Sequence, residues 1–200
     1  MNPVPEAGLW PLPFAPLQQL LEYWVAKRGD RRCPDKSDID PIDLRALLPD
    51  ILLYDAAPDD GQFRYRLVGT RATRMIGREA RGLTQPEVHG NPTDPALLRE
   101  IARTQAEYAW IARAFMGGFR LSRLAVPKRD HVQFARLTLP LTEQRGAARH
   151  LVSVMVDIGR TPYSDAAFGI DLVGLVPIAL PDAVLALQIK NFAWPLAPTK

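Results

Sequence analysis

The chain has 200 residues, 47% hydrophobic and 24% charged, a balance that fits one globular domain and excludes a disordered chain, a coiled coil or a collagen-like repeat. Its 25 lysines and arginines against 22 acids leave a net charge of +3, too weak a field to mark a nucleic-acid surface. The densest basic cluster, Lys27, Arg28, Arg31 and Arg32, is followed at once by Asp35, Asp38, Asp40 and Asp43.

The single cysteine, Cys33, excludes an internal disulfide and fits a reducing compartment. The uncharged stretch 7–21 is interrupted by Pro11, Pro13 and Pro16, and the apolar run 172–181 is well short of the ~20 residues that span a bilayer. The expectation is a soluble cytoplasmic protein, with no membrane and no nucleic acid among its partners.

Residues 1–16 hold five of the 19 prolines and read as a lead-in. A helix is predicted over 17–28, where Leu17, Leu20, Leu21 and Trp24 recur at helical spacing before Gly29. Asp40 as a cap and Pro41 in the first position predict a short helix over 41–48, ended by Pro49. Residues 51–57 read as a strand and Pro58-Asp-Asp-Gly61 as a turn. Phe63, Tyr65 and Leu67 alternate with Arg64 and Arg66 on a second strand, so 51–68 forms a hairpin.

A helical patch over 70–76 and the glycine-punctuated segment 77–82 follow. A long helix is predicted from Asp94 and Pro95 to Met116, ended by Gly117-Gly118. Leu97, Leu98, Ile101, Tyr108, Ile111 and Phe115 share its apolar face. Arg99, Glu100, Arg103, Glu107 and Arg113 are assigned mostly elsewhere. Three strand-like segments close the body, at 119–127, 131–141 and 151–158, with turns at 128–130 and 143–148. The apolar tail over 168–200 includes a candidate helix at 181–190. The domain reading is therefore lead-in 1–16, body 17–158, and an extension 159–200 for packing or dimerisation. No βαβ alternation occurs. The fold class expected is α+β, a five-stranded antiparallel sheet with helices on one face, plus the N-terminal helix and the tail.

Two strands, a helical connection and three strands is also the element order of a PAS domain. Trp24, Arg31-Arg32-Cys33-Pro34, Asp38-Ile39-Asp40-Pro41, Leu47-Leu48-Pro49, Phe63-Arg-Tyr-Arg-Leu-Val-Gly-Thr70 and Gly77-Arg-Glu-Ala-Arg-Gly82 follow one another in the order of one bacterial branch. The chain resembles that PAS-type family, in which the domain makes up most of a short protein, over roughly 17–158. The resemblance implies a sensory or ligand-binding module. It carries no functional residue across, because the matching motifs read as structural. It also argues against flavin and haem as cofactors. Cys33 precedes a proline in a connecting segment rather than lying in a helical Asn-Cys motif. His89 is assigned to a Gly-Asn-Pro loop rather than a helix.

Other chemistry is thinly marked. His131 and His150 open adjacent predicted strands beside Asp130, but metal-ligand spacing is absent, so exposed turn histidines are expected. Cys33 beside Arg31 and Arg32 reads as a structural thiol. Gly77–Gly82 is neither a Walker loop nor a dinucleotide fingerprint, and its arginines, with Arg71 and Arg74, read as solvated surface. Helix capping explains the acids of 38–43 better than a calcium loop does.

The expected function is a non-enzymatic sensory or signalling adaptor, a homodimer, binding an apolar small molecule or a protein partner. Its cavity is assigned to Tyr65, Leu67, Met75, Tyr108, Phe119, Leu121, Phe134 and Met155. Two alternatives stay open. One is a small cone-fold enzyme on a small substrate, with Asp55, Asp157 and His131 as candidate acid or base. The other is a purely structural partner-binding module.

Overall fold

The computed structural model describes residues 12, 14–56, 62–124 and 132–159, without the side chain of Arg123, and the backbone of Leu172–Val176. Helix α1 (Ala15–Arg28) carries Pro16 in its first turn, where a missing N–H costs nothing, and ends at Gly29 with φ 55°. Strands β1 (Ile51–Ala56) and β2 (Phe63–Val68) form the expected hairpin. Then come α2 (Thr70–Ile76), α3 (Gln85–Val88), α4 (Pro95–Ala114), β3 (Gly117–Arg123), β4 (Gln133–Thr142), β5 (Ala148–Asp157) and β6 (Leu172–Val176). The sheet runs β2-β1-β5-β4-β3-β6, and every neighbouring pair is antiparallel. The expected five strands are all present. A sixth comes from the segment read as apolar tail and pairs with β3. The candidate helix at 181–190 lies outside the described residues.

Alternation along the strands sends successive side chains to opposite faces. On one face α1 buries Leu17, Leu20, Leu21 and Trp24 against Leu137, Leu139, Val152 and Val154. On the other, α2, α3 and α4 cover Leu52, Tyr54, Phe134, Leu151 and Met155. The sheet is thus covered on both sides, by α1 on one and the remaining helices on the other.

Two expected elements change form. In place of a helix over 41–48, residues 41–47 are turns, between 3₁₀ turns at Lys36–Asp38 and Leu48–Asp50. Leu44 and Leu47, three apart, are the buried pair, and the bonds Leu47 N–H to Leu44 O and Asp50 N–H to Leu47 O span three residues. Three-residue spacing suits this tighter winding, and a segment this short gains little from α-helix nucleation. The long helix starts as expected, with the Asp94 carboxylate accepting from the N–H groups of Ala96 and Leu97. It stops earlier than predicted, at Phe115, whose left-handed backbone (φ 56°) sends its N–H to Ile111 O. Gly117 and Gly118 belong instead to β3. A Cβ on Gly118 would stand 2.6 Å from Ile111 Cδ1, so this glycine lets α4 lie close on the strand.

The pairing of β4 with β3 ends at Thr138. Beyond it, Pro140 O accepts from Trp24 Nε1 (2.7 Å) and Cys33 Sγ (3.0 Å), and Thr142 N–H donates to Pro34 O (2.9 Å). Among the described residues no helix is long and apolar enough to cross a membrane.

Candidate functional site

A cavity of about 70 Å³ lies between the sheet and α3–α4. That is small beside the roughly 300–1,000 Å³ of drug-sized ligand sites, and suits a few waters or a small molecule. Strands β1, β2 and β5 supply Leu52, Tyr54, Tyr65 and Met155. Strands β3 and β4 supply Arg120, Ser122, Phe134 and Arg136. Helix α3 with its C-cap contributes Gln85, Val88 and His89, while α4 contributes Leu97, Glu100, Ile101 and Thr104. Helix α3 is fixed by reciprocal capping between Thr84 and Glu87, and Arg64 pairs with the same carboxylate at 3.1 Å.

Beneath α4 two arginines are almost fully buried. Arg136 donates to Tyr108 Oη (2.8 Å) and to both Glu107 oxygens (3.2 and 3.3 Å). Arg120 donates to Thr104 Oγ1 (2.8 Å), Glu107 Oε2 (3.4 Å) and Glu100 Oε2 (2.7 Å). Tyr108 donates in turn to Tyr54 Oη (2.9 Å), and Gln85 Nε2 donates to Tyr65 Oη (2.6 Å). The rings of Tyr65 and Tyr108 each lie 4.8 Å from that of Tyr54. Burial pushes all three tyrosine hydroxyls up, so they stay protonated. Burial alone would favour loss of the Arg136 proton, but the oxygens of Tyr108 and the Glu107 carboxylate outweigh it and hold the guanidinium charged. His89 is pushed down by burial, toward neutral imidazole, and its Nδ1 has no partner among the described residues.

Of the residues assigned to the cavity, Tyr65, Phe134 and Met155 line this one. Met75 and Tyr108 belong to the same buried cluster without bordering the space. Phe119 and Leu121 instead face α1, because on β3 the residues turned toward α4 are Arg120 and Ser122. Leu67 is 37% exposed. Leu53 pairs with Leu67 and Tyr54 with Tyr65, which leaves Arg66 as an extra residue. This β-bulge turns Leu67 away from the face that Tyr65 occupies.

His150 is not an exposed turn residue: it is buried on β5 with Nδ1 2.6 Å from Asp55 Oδ1. Burial would raise the Asp55 carboxyl, but His150, Arg66 and Lys36 outweigh that and hold it below its ordinary range. Neither Asp55 nor Asp157 borders the cavity, and Asp157 accepts from Gly159 N–H. Asp130 and His131 lie outside the described residues. His89 is the C-cap of α3, within the cavity wall, rather than part of a free loop. Cys33 is buried, and burial pushes its thiol up to about 12. Arg71 is held by Asp50, and Arg78 by the carbonyls of Glu87 and Val88. Among the described residues no group of three or more His, Cys, Asp or Glu side chains is arranged to hold a metal ion.

Arg120, Arg136, Glu107 and Thr104 are the residues that sequence reasoning passed over. Their signal was complementary. Glu100, Thr104, Glu107 and Ile111 follow at spacings of four, three and four, one helical stripe that carries two carboxylates.

A family model described as PAS domain matches residues 13–156. The chain belongs to the PAS domain family. Curated proteins give no match to it. Fifteen solved chains do match. The PAS domain of Bordetella pertussis BvgS is 20% identical, covering 61% of this chain and 89% of that one, with a TM-score of 0.43. A Vibrio cholerae VqmA dimer, described among LuxR-type receptors, is 15% identical over 58% of this chain and 49% of that one (TM-score 0.42). A Rhodobacter sphaeroides LOV protein is 17% identical over 60% and 68% (TM-score 0.41). PAS domains are in general sensory or ligand-binding signalling modules.

Proposed function

We propose that this PAS domain is a non-enzymatic sensory module. It holds a small molecule between the sheet and α3–α4 and reports occupancy to a signalling partner. The observation that carries the reading is the cavity itself, where Gln85, His89, Thr104, Arg120 and Arg136 converge within apolar walls. A mostly apolar hollow with a few directed polar groups is the general form of a small-molecule site. Two buried guanidiniums favour a polar ligand over the purely apolar one that the aromatic residues suggest. Glu100 and Thr104 tie α4 to Arg120, so a ligand at this place touches the helix and the sheet together. It shifts the helix only through a difference in affinity for two packings. A cytoplasmic location and a homodimeric signalling unit belong to the same reading.

Native against denaturing mass spectrometry of the purified chain, with an absorption spectrum of the same sample, tests it. The expected result is a dimer carrying a small-molecule mass that is lost on denaturation. A dimer that retains no small molecule, even after incubation with a metabolite extract, would turn the reading toward a partner-binding adaptor. Cell fractionation tests the location.

A further inference from the structure

Two carboxylates reach Arg120, and they differ in kind. Glu107 is 4% exposed and sits between Arg120 and Arg136, within 3.4 Å of both. Glu100 is 34% exposed and stands at the cavity wall, with Oε2 2.7 Å from Arg120 Nη2. Its other oxygen, Oε1, is 3.4 Å from Arg103 on the same helix. Arg120 itself is only 3% exposed. A buried guanidinium is therefore partnered at the cavity by a carboxylate that water already reaches. The Glu100 carboxylate keeps part of its hydration when it leaves, but the buried guanidinium does not, so another anion must take the vacated place.

The space beside this pair holds further unused hydrogen-bonding capacity. Arg136 Nε is buried with no partner among the described residues, and the same is true of His89 Nδ1. Ile76, Ile101, Leu124 and Met155 give the wall an apolar part. A molecule that fits has one anionic acceptor group for Arg120 Nη2, the nitrogen that Glu100 takes, and a short hydrocarbon part for the apolar side chains. About 70 Å³ restricts it to a handful of heavy atoms.

We propose that the cavity binds a short-chain carboxylate whose head group takes the position of the Glu100 carboxylate on Arg120. Ligand and α4 then compete for one guanidinium. Glu100, once displaced, keeps Arg103 as its partner at the surface. The inference rests on reading the cavity as a small-molecule site, and it names the ligand class and the contact through which α4 senses it.

Isothermal titration calorimetry of the full chain with sodium butyrate, and separately with the isosteric neutral butyramide, tests the class. Butyrate is expected to bind saturably with one site per chain, and butyramide at least tenfold more weakly. Glu100→Gln removes the competing charge and is expected to tighten butyrate roughly fivefold, the ratio set by losing a partly exposed ion pair. Arg120→Lys keeps the charge but cannot hold Thr104, Glu107 and a ligand on separate planar nitrogens, and is expected to weaken butyrate. Because that position is buried, Glu100→Gln carries the test if the lysine variant fails to fold. Equal binding of acid and amide overturns the carboxylate class while leaving a small-molecule pocket in place. Weaker binding by Glu100→Gln overturns the competition. Absence of binding by both probes in both proteins overturns the proposal, and the mass-spectrometric result then decides whether the pocket reading falls with it.

Discussion

The two faces of the sheet are built from different chemistry. Under α1 the core is mostly leucine, valine and isoleucine, with Trp24 and Phe119, and Trp24 and Cys33 both donate to the Pro140 carbonyl. Under α2–α4 three tyrosines, two arginines, two carboxylates and the Thr138–Ser153 hydroxyl pair share the space with a cavity. The first arrangement resists change, since most of its contacts are dispersion and burial. The second depends on each polar group finding its partner, and so can be altered by a molecule that offers a better one.

The sharpest way to break the comparison is Trp24→Ala. It removes a fully buried ring and leaves the Pro140 carbonyl with the weaker Cys33 thiol as its donor, and is expected to cost about 4 to 5 kcal/mol in denaturant unfolding. A loss below about 2 kcal/mol would deny the α1 face its stabilising role. Next is Glu107→Gln, which leaves two buried guanidiniums facing a neutral amide, with an expected cost of about 3 kcal/mol. The double change Glu107→Leu with Arg136→Met is expected to recover most of that loss while altering ligand binding, since it reshapes the cavity wall beside Arg120. Recovered stability with unaltered ligand binding would show that Glu107 and Arg136 serve only structure.

Cys33, on the α1 face, gives a third contrast. Its folded thiol titrates at about 12 against an ordinary 9.0, so the unfolded chain loses this proton first as pH rises. The stability it contributes is complete below pH 9 and is lost as pH climbs toward 12. Unfolding midpoints measured across that window should fall more steeply in the wild type than in Cys33→Ala, and native Cys33 should resist iodoacetamide at pH 8. The smallest effect belongs to Asp94→Ala, which removes the cap of α4 and is expected to cost about 1 kcal/mol by thermal unfolding. A much larger loss would mean that α4 is held by its end rather than by its buried face.

Most of the fold was legible because it is periodic. Leu17 to Trp24 at helical spacing, Phe63 and Tyr65 alternating with arginines, and the Asp94-Pro95 cap each specify a local element that the tertiary structure keeps. The site was much less legible. Alternation sorts a strand into two faces but does not say that both are covered, so Arg120 and Arg136 look like solvent-facing residues until α4 lies over them. Leu67 was misplaced because one extra residue, Arg66, inverts the period, and nothing local announces a bulge. Glu107 reads as helix surface until its partners on two strands are known.

The contacts at Pro140 bear on how the sheet ends. Past Thr138 the strand β4 has lost its neighbour β3, and a proline there cannot donate to a new one. The acceptors and donors that remain are taken by Trp24, Cys33 and Pro34, more than a hundred residues earlier in the chain. The segment after α1 thus acts as a seal along an open strand edge. A chain started after Asp35 would bare that edge to a second copy, and its failure would be self-association into sheets rather than simple unfolding.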